Sequence, residues 1–257
     1  NCIDGEEVEL WGECYNIEET TSLNISNSGL TGQIPPEIGN LTNLTYLNLS
    51  GNDLTGEIPS EIGNLTNLTS LRLGSNDLSG EVPSEIEDLE NLYSLDLGHN
   101  NELSGLILPY LVGMSNLSYV WFYSNNFYGE IPPEFYNLTN LSTFNIVNNN
   151  FTGEISEEIG NLVNLTYLDL SNNQFTGQIP ESIGNLPNLT SILSLMGNEF
   201  TGEVPLSFGY LVNLGVLTLS NNNLTGEIFS IVSNLTNLEY LYLSNNSFQG
   251  QVSQNIC

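Results

Sequence analysis

The side chains able to do chemistry in this sequence are few and bunched. Arg72 is the only cation against thirty Asp and Glu, and His99 is the only histidine. A lone histidine cannot build a histidine-centred metal site. Nothing around it suggests the orienting acid and special serine of a hydrolytic triad. Glu57, Glu81, Glu130, Glu154, Glu203 and Glu227 share one recurring position, which makes a ladder of carboxylates rather than a facing acid–base pair. No enzyme is expected. What remains is recognition chemistry. Arg72 is followed by Tyr93, Asp96, Tyr119, Trp121 and Tyr123, and Arg, Trp and Tyr are the residue types that dominate interface energetics.

The charge balance narrows the partner. A net charge of −29 on 257 residues excludes nucleic acid, whose phosphates need clustered Lys and Arg, and disfavours an anionic membrane surface. The acidity reads as a solvated surface screened by salt. Weak, non-specific calcium association with the acidic ladders is the most metal chemistry expected, since no dense acidic loop of the calcium-binding kind appears. No cofactor and no specific metal site are expected. The longest apolar run, "GLILPYLVGM" from Gly105 to Met114, contains Gly and Pro and is half the roughly 20 residues needed to cross a bilayer, so no membrane insertion by this segment is expected. A start at Asn1 without a leader-like segment reads as a mature or trimmed chain. Cys2 and Cys14 read as a disulfide closing an N-terminal cap, which implies an oxidising compartment. Cys257 is left over, its partner expected beyond the last residue.

A repeat must position these groups. The unit L-x-x-L-x-x-L-x-L-x-x-N-x-L-T-G-x-I-P-x-x-I-G-N is 24 residues long. Ten copies start at Ile17, Leu41, Leu65, Leu89, Met114, Leu138, Leu162, Leu186, Leu211 and Leu235, with one extra residue near Asn101–Glu102 and another near Ile192–Leu193. In "TSLRLGSN" Leu71 and Leu73 alternate with Ser70, Arg72 and Gly74, the period of a strand with one buried face. Stacked copies would give parallel strands about 4.8 Å apart. Asn at the twelfth position suits a buried ladder bonding backbone groups, and only Ser28 departs from it. Gly at the sixteenth position suits a turn with positive φ. The Pro-broken I-P half predicts a short outer strand and then 3₁₀ turns. Phe127, Phe151, Phe175, Phe200 and Phe248 at the fourteenth position read as a packed spine.

The repeated phrase resembles the plant-type class of the leucine-rich repeat family over residues 17–257. That class is found in plant receptor ectodomains, in polygalacturonase-inhibiting proteins, and in secreted or surface proteins of bacteria and protists. "LWGECYNIEETTSLNI" is similar to the cysteine-capped start of the plant members, though it lacks most of their fuller cap. The resemblance implies a horseshoe solenoid with a concave parallel sheet of about ten strands and a convex side of outer strands, turns and 3₁₀ helices. It implies a secreted or cell-surface protein that binds a protein, peptide or glycan. The domain reading is a cap over residues 1–16 and a single solenoid of ten repeats over 17–257. Fifteen Asn-x-Ser/Thr sequons would carry glycans in a eukaryotic secretory protein, although the phrase "NLTNLT" creates sequons in any case.

On the expected concave face the central column runs Asn24, Asn48, Arg72, Asp96, Trp121, Asn145, Asp169, Ser194, Thr218, Tyr242. Arg72 should lie one rung from Asp96, with Trp121 next. The ligand surface is therefore expected at Arg72, Tyr93, Asp96, Tyr119, Trp121, Tyr123, Asn145 and Asp169, centred on repeats three to five. His99 is expected on a surface turn. In "LSGLILPYLVGM" the repeat's Glu, Pro and an outer position become Leu106, Leu108 and Tyr110. This is either repacking around the extra residue or a second contact patch, through which self-association could run. Three alternatives accompany protein recognition: a carbohydrate surface stacked on Tyr119, Trp121 and Tyr123; a structural subunit joined end to end into a fibre; and ice binding, for which the columns are too irregular.

Overall fold

Alternation within each leucine phrase produces three-residue inner strands whose middle residue is buried, or half-buried in the last of them. A computed structural model of the protein describes residues 2–250; Cys257 and its pairing lie outside them. The chain divides into two compact units, Asn1–Tyr128 and Gly129–Cys257. In the first, the inner strands are Ser22–Asn24, Tyr46–Asn48, Ser70–Arg72, Ser94–Asp96 and Tyr119–Trp121. They pair in parallel with equivalent residues opposite one another, so Asn48 faces Arg72, Arg72 faces Asp96 and Asp96 faces Trp121. The second unit repeats the arrangement with Thr143–Asn145, Tyr167–Asp169, Ile192–Ser194, Val216–Thr218 and Tyr240–Tyr242. Behind these strands the leucines, together with Phe127, Phe151, Phe175 and Phe200, are buried.

The asparagine ladder is present, and its bonding explains why the twelfth position tolerates little else. Asn76 donates to the carbonyls of Leu49 (3.0 Å) and Leu73 (2.9 Å), and accepts from the Leu54 backbone N–H at 3.1 Å. One side chain thus ties two copies together and satisfies the Leu54 N–H, which would otherwise be buried and unpaired, while each carbonyl is shared with the next asparagine of the ladder. Just before it, the eleventh position turns in the left-handed region, with Ser75, His99 and Ser124 at φ 58°, 63° and 56°. His99 is accordingly exposed on a turn. The extra residue of the fourth copy is absorbed by a second left-handed residue, Asn101 at φ 63°.

The outer half follows its prolines. In the first unit the outer strands Asp53–Gly56, Asp77–Glu81 and Glu102–Gly105 stand side by side. Each of Pro35, Pro59 and Pro83 is extended (ψ 134°, 143°, 143°) and leads into a 3₁₀ turn, Pro36–Asn40, Ser60–Asn64 and Ser84–Asp88. Where Pro is replaced by Leu108 the preceding Ile107 relaxes into the right-handed helical region at φ −81°, ψ −37°, and a single α-turn forms at Leu108–Leu111. Phe229 has the same effect on Ile228 in the second unit. Proline excludes its predecessor from helical conformations, so removing it frees the helix to start a residue earlier. Ser156, also in place of Pro, keeps the 3₁₀ form by accepting a hydrogen bond from the Glu158 backbone N–H.

Glycine at the sixteenth position is needed twice over. Gly80 has φ 79°, and a Cβ there would stand 2.9 Å from Cγ of Glu57, which lies across it from the previous copy. Gly153 stands in the same relation to Glu130, and Gly226 to Glu203. At the start of the chain, the antiparallel strands Glu7–Leu10 and Glu13–Asn16 form a hairpin. Its loop residues Trp11 and Gly12 both have positive φ, 50° and 87°, as a tight primed turn requires. The Cys2–Cys14 disulfide closes the hairpin with a Cα separation of 5.4 Å.

Candidate functional site

Within the first unit, the register places Arg72 and Asp96 opposite each other on neighbouring strands, as the repeat arithmetic demands. They do not pair. Among the described residues no ion pair within 4.0 Å joins them. Asp96 instead accepts the backbone N–H of Gly98 at 3.0 Å. The Arg72 guanidinium leans the other way, 6.0 Å from the ring centroid of Tyr46. That is the outer limit for a cation–π contact. Nε of Arg72 is buried with no hydrogen-bond partner. Burial pushes the Asp96 carboxyl above its ordinary range, against the opposing pull of the Gly98 hydrogen bond and the Arg72 charge.

The aromatic side chains follow on the next strand. Tyr119 and Trp121 leave the same face and stack nearly parallel, centroids 5.2 Å apart and planes at 12°. Tyr93, half exposed, meets the Tyr119 ring edge-on at 5.2 Å. Tyr123 lies back across the preceding copy: a Cβ at Gly98 would come within 2.3 Å of its ring. Burial together with the negative charge of Asp96 raises the pKa of the Tyr123 hydroxyl. Gly74 makes the same room for Asp96, whose Oδ1 would lie 2.7 Å from a Cβ there. Glycines at the tenth position of two successive copies thus let large or charged side chains fold inward. Most other copies carry Ser there.

The structure brings together Arg72, Tyr93, Asp96, Tyr119, Trp121 and Tyr123. It adds three residues that sequence reasoning passed over. Tyr46 is the aromatic neighbour of Arg72, and Ser70 and Ser94 have hydroxyls buried without partners. Tyr46, Ser70, Ser94 and Tyr119 share one register line. A column reading of the sixth position, parallel to the one made for the eighth, was the signal available. Asn145 and Asp169 belong to the second unit and are engaged there. Asn145 donates to the Tyr167 hydroxyl at 3.5 Å. Asp169 accepts from the Ser171 backbone N–H at 3.0 Å and from the Ser171 hydroxyl. Tyr167, by burial first and the Asp169 charge second, is pushed up to about 12.

The second patch needs correction. Leu108 is 1% exposed, because the α-turn that replaces the proline conformation carries it into the core. Leu106 remains 48% exposed. Tyr110 is half-buried and lines a shallow groove with Gln33, Glu57, Glu81 and Ser84. The expected apolar surface is thus reduced by its middle member. No described helix is long and apolar enough to cross a membrane.

A profile described as leucine-rich repeat region matches residues 23–157, and one described as leucine rich repeat matches 164–186, 213–235 and 237–257. No curated protein matches the chain. Among solved structures the chain is similar to the plant peptide hormone receptor RGFR1 in complex with RGF2. Identity is 39% and the TM-score 0.78, over 90% of this chain and 40% of that one. It is similar to the Arabidopsis receptor kinase HAESA in complex with the peptide hormone IDA and the co-receptor SERK1, at 34% identity and TM-score 0.83, over 89% of this chain and 38% of that one. A plant ice-binding protein is 32% identical with a TM-score of 0.72, over 86% of this chain and 70% of that one. The chain therefore spans well under half the length of the two receptor chains. The repeat phrase, the asparagine ladder, the parallel inner strands and the matched profiles agree: the chain belongs to the leucine-rich repeat family, in its plant-type extracellular class.

Proposed function

We propose that this protein is a non-enzymatic recognition module that binds a peptide or protein across the outward face of Ser70–Arg72, Ser94–Asp96 and Tyr119–Trp121. One observation carries the reading. The only cation of the chain is held on that face without an ionic partner, beside stacked and partly exposed aromatic rings. Exposed ion pairs stabilise by only ~0–1 kcal/mol, and this one is not even formed, so stability gives Arg72 little purpose. Open aromatic area with an adjacent Arg is what hot spots are made of. The receptors to which the chain is similar are held with peptide hormones, and the class of partner is carried over from them. The contact residues proposed are Arg72, Tyr93, Asp96, Tyr119, Trp121 and Tyr123, with Tyr46 added. Asn145 and Asp169 are left out because each is already bonded within its own unit. Residues 1–16 are read as a cap and 17–257 as the repeats that carry the surface.

The test begins with a displayed library of secreted peptides, followed by calorimetry on any peptide selected. Trp121→Ala should weaken binding while leaving the thermal melt in place. Normal binding by Trp121→Ala would move the site elsewhere. Selection of glycans alone from a matched array would turn the reading toward carbohydrate. Thermal hysteresis in the purified protein would turn it toward ice, as in the plant ice-binding relative.

A further inference from the structure

Arg72 and Asp96 face each other across one rung and yet stay apart, each with bonding capacity unused. On Arg72 the buried Nε–H has no acceptor. The Gly98 N–H is the single protein hydrogen bond given to the Asp96 carboxylate, which can accept several more. Ser70 and Ser94 occupy two successive rungs between Tyr46 and Tyr119, so two small side chains separate two rings. Both serine hydroxyls are buried without partners, and Ser94 is only 5% exposed. Buried polar groups in native proteins are normally paired, because an orphaned one costs about 1–3 kcal/mol. Here three such groups, Arg72 Nε and the hydroxyls of Ser70 and Ser94, lie on one short stretch of sheet beside an under-bonded carboxylate.

The charges decide what fits. A carboxylate offered to Arg72 would be set against Asp96 and against a chain of net charge −29. An ammonium offered to Asp96 would be set against Arg72. A group that is neutral, and is acceptor on one side and donor on the other, satisfies both. We infer that the ligand group held between Arg72 and Asp96 is a carboxamide, its C=O accepting from Arg72 and its N–H₂ donating to Asp96, with the serine hydroxyls beneath. The inference rests on the proposed recognition surface and names the chemistry of its centre. Burial of Asp96 acts in the same direction, since a carboxylate short of donors gains from each N–H supplied.

The sequence makes the test direct. With one Arg and two Trp in the chain, a nitrogen–proton correlation spectrum contains a single arginine Nε–H signal and two indole signals, from Trp11 and Trp121. The probes are N-acetyl-leucinamide, its acid N-acetyl-leucine, and methyl glucoside. The amide should shift the Arg72 Nε–H and one indole signal, with the acid roughly tenfold weaker because like charges are juxtaposed. Asp96→Asn should remove the preference and bring the acid level with the amide. A response to the acid equal to or stronger than the amide in the wild-type protein overturns the inference in favour of an anion site. A response to the glucoside alone overturns it in favour of a sugar. Silence to all three means that Arg72 is simply unpaired. None of these results bears on Trp121→Ala, which tests the surface itself. Loss of peptide binding in that variant with an acid-preferring Arg72 would sink only the carboxamide.

Discussion

The two units are built from the same phrase and differ on their outward faces. In Gly129–Cys257 the polar groups on and just after the inner strands bond one another: Asn145 to Tyr167, Asp169 to Ser171, and Ser194 to Thr218 at 2.5 Å. In Asn1–Tyr128 Asn48 bonds Tyr46 and Asp96 takes the Gly98 N–H in the same way, but the same stretch also holds Arg72, Ser70 and Ser94 with unpartnered buried atoms, and an aspartate raised by burial. A repeat scaffold brings its neighbours in at fixed spacing, so a polar column closes on itself whenever its members are complementary. The first unit has complementary members that decline to close. That difference, more than the presence of aromatic rings, distinguishes a surface prepared for something else from one that is finished.

The comparison can be broken first at the scaffold, where the two units should not differ. Asn100→Ala would orphan the buried Leu78 N–H and remove one of the two ladder donors to each of the Leu73 and Leu97 carbonyls, which keep Asn76 and Asn125. Asn198→Ala would orphan the Phe175 N–H and remove one of the two ladder donors to each of the Leu170 and Leu195 carbonyls, which keep Asn173 and Asn222. At about 1–3 kcal/mol for an unpaired buried group, each should lower stability by about 3 kcal/mol in denaturant titration. A large gap between them would show that the units do not share one ladder. Next is the disulfide, which exists only in the first unit. Reducing Cys2–Cys14, with its sequence separation of 12, should cost about 2–3 kcal/mol and raise hydrogen exchange in the hairpin. Native protein with both thiols free by mass spectrometry would refute it.

The functional contrast comes third. Trp121→Ala should cost about 2 kcal/mol of partner affinity with little change in melting temperature, because the ring lies on the outer face. Thr218→Ala, from the same column of the second unit, should bind normally. The reverse pattern would exchange the roles of the two units.

The smallest effects are in pH. Asp96 has a raised folded-state pKa, so its contribution is fully present below the unfolded value and is lost as pH rises through the folded one. Glu157 is opposite. Burial pushes it up, but hydrogen bonds from the backbone N–H groups of Ser182 and Glu181 outweigh that and lower it. Its contribution is present above the unfolded pKa and is lost as pH falls through the folded one. Asp96→Asn should therefore raise the neutral-pH melting temperature and leave the acidic one alone. Glu157→Gln should lower the neutral value and leave the acidic one alone. Melts of both variants across the carboxylate range would show two curves of opposite slope.

The repeat made most of the fold legible. Period, ladder asparagines, positive-φ glycines and proline-set 3₁₀ turns are local demands that any copy states in full. The site was legible in membership and less so in contacts. The column reading brought Arg72, Asp96 and Trp121 onto successive rungs, but it could not say that Asp96 turns to Gly98 or that Arg72 turns to Tyr46. Those choices depend on side-chain torsions and on the room left by Gly74 and Gly98. Leu108 was left between repacking and a contact patch for a different reason. Its substitution for Pro changes the backbone, and with it the direction of its own side chain, so a reading that kept the repeat's frame had no way to choose the buried alternative.

The ladders also set the grain of change in this molecule. Asn76 bonds backward to Leu49, Glu57 lies across Gly80, and Asn67 reaches the Thr42 carbonyl at 2.9 Å. Each contact joins one copy to its neighbour and recurs between the same two positions along the repeat. A single altered residue therefore leaves a neighbour without its counterpart, whereas excising a whole copy, such as residues 41–64, hands every bond to the next in line. Duplication and loss in steps of 24 residues are the gentle moves open to this chain, and the length of the surface it offers can be inherited separately from what any one copy displays.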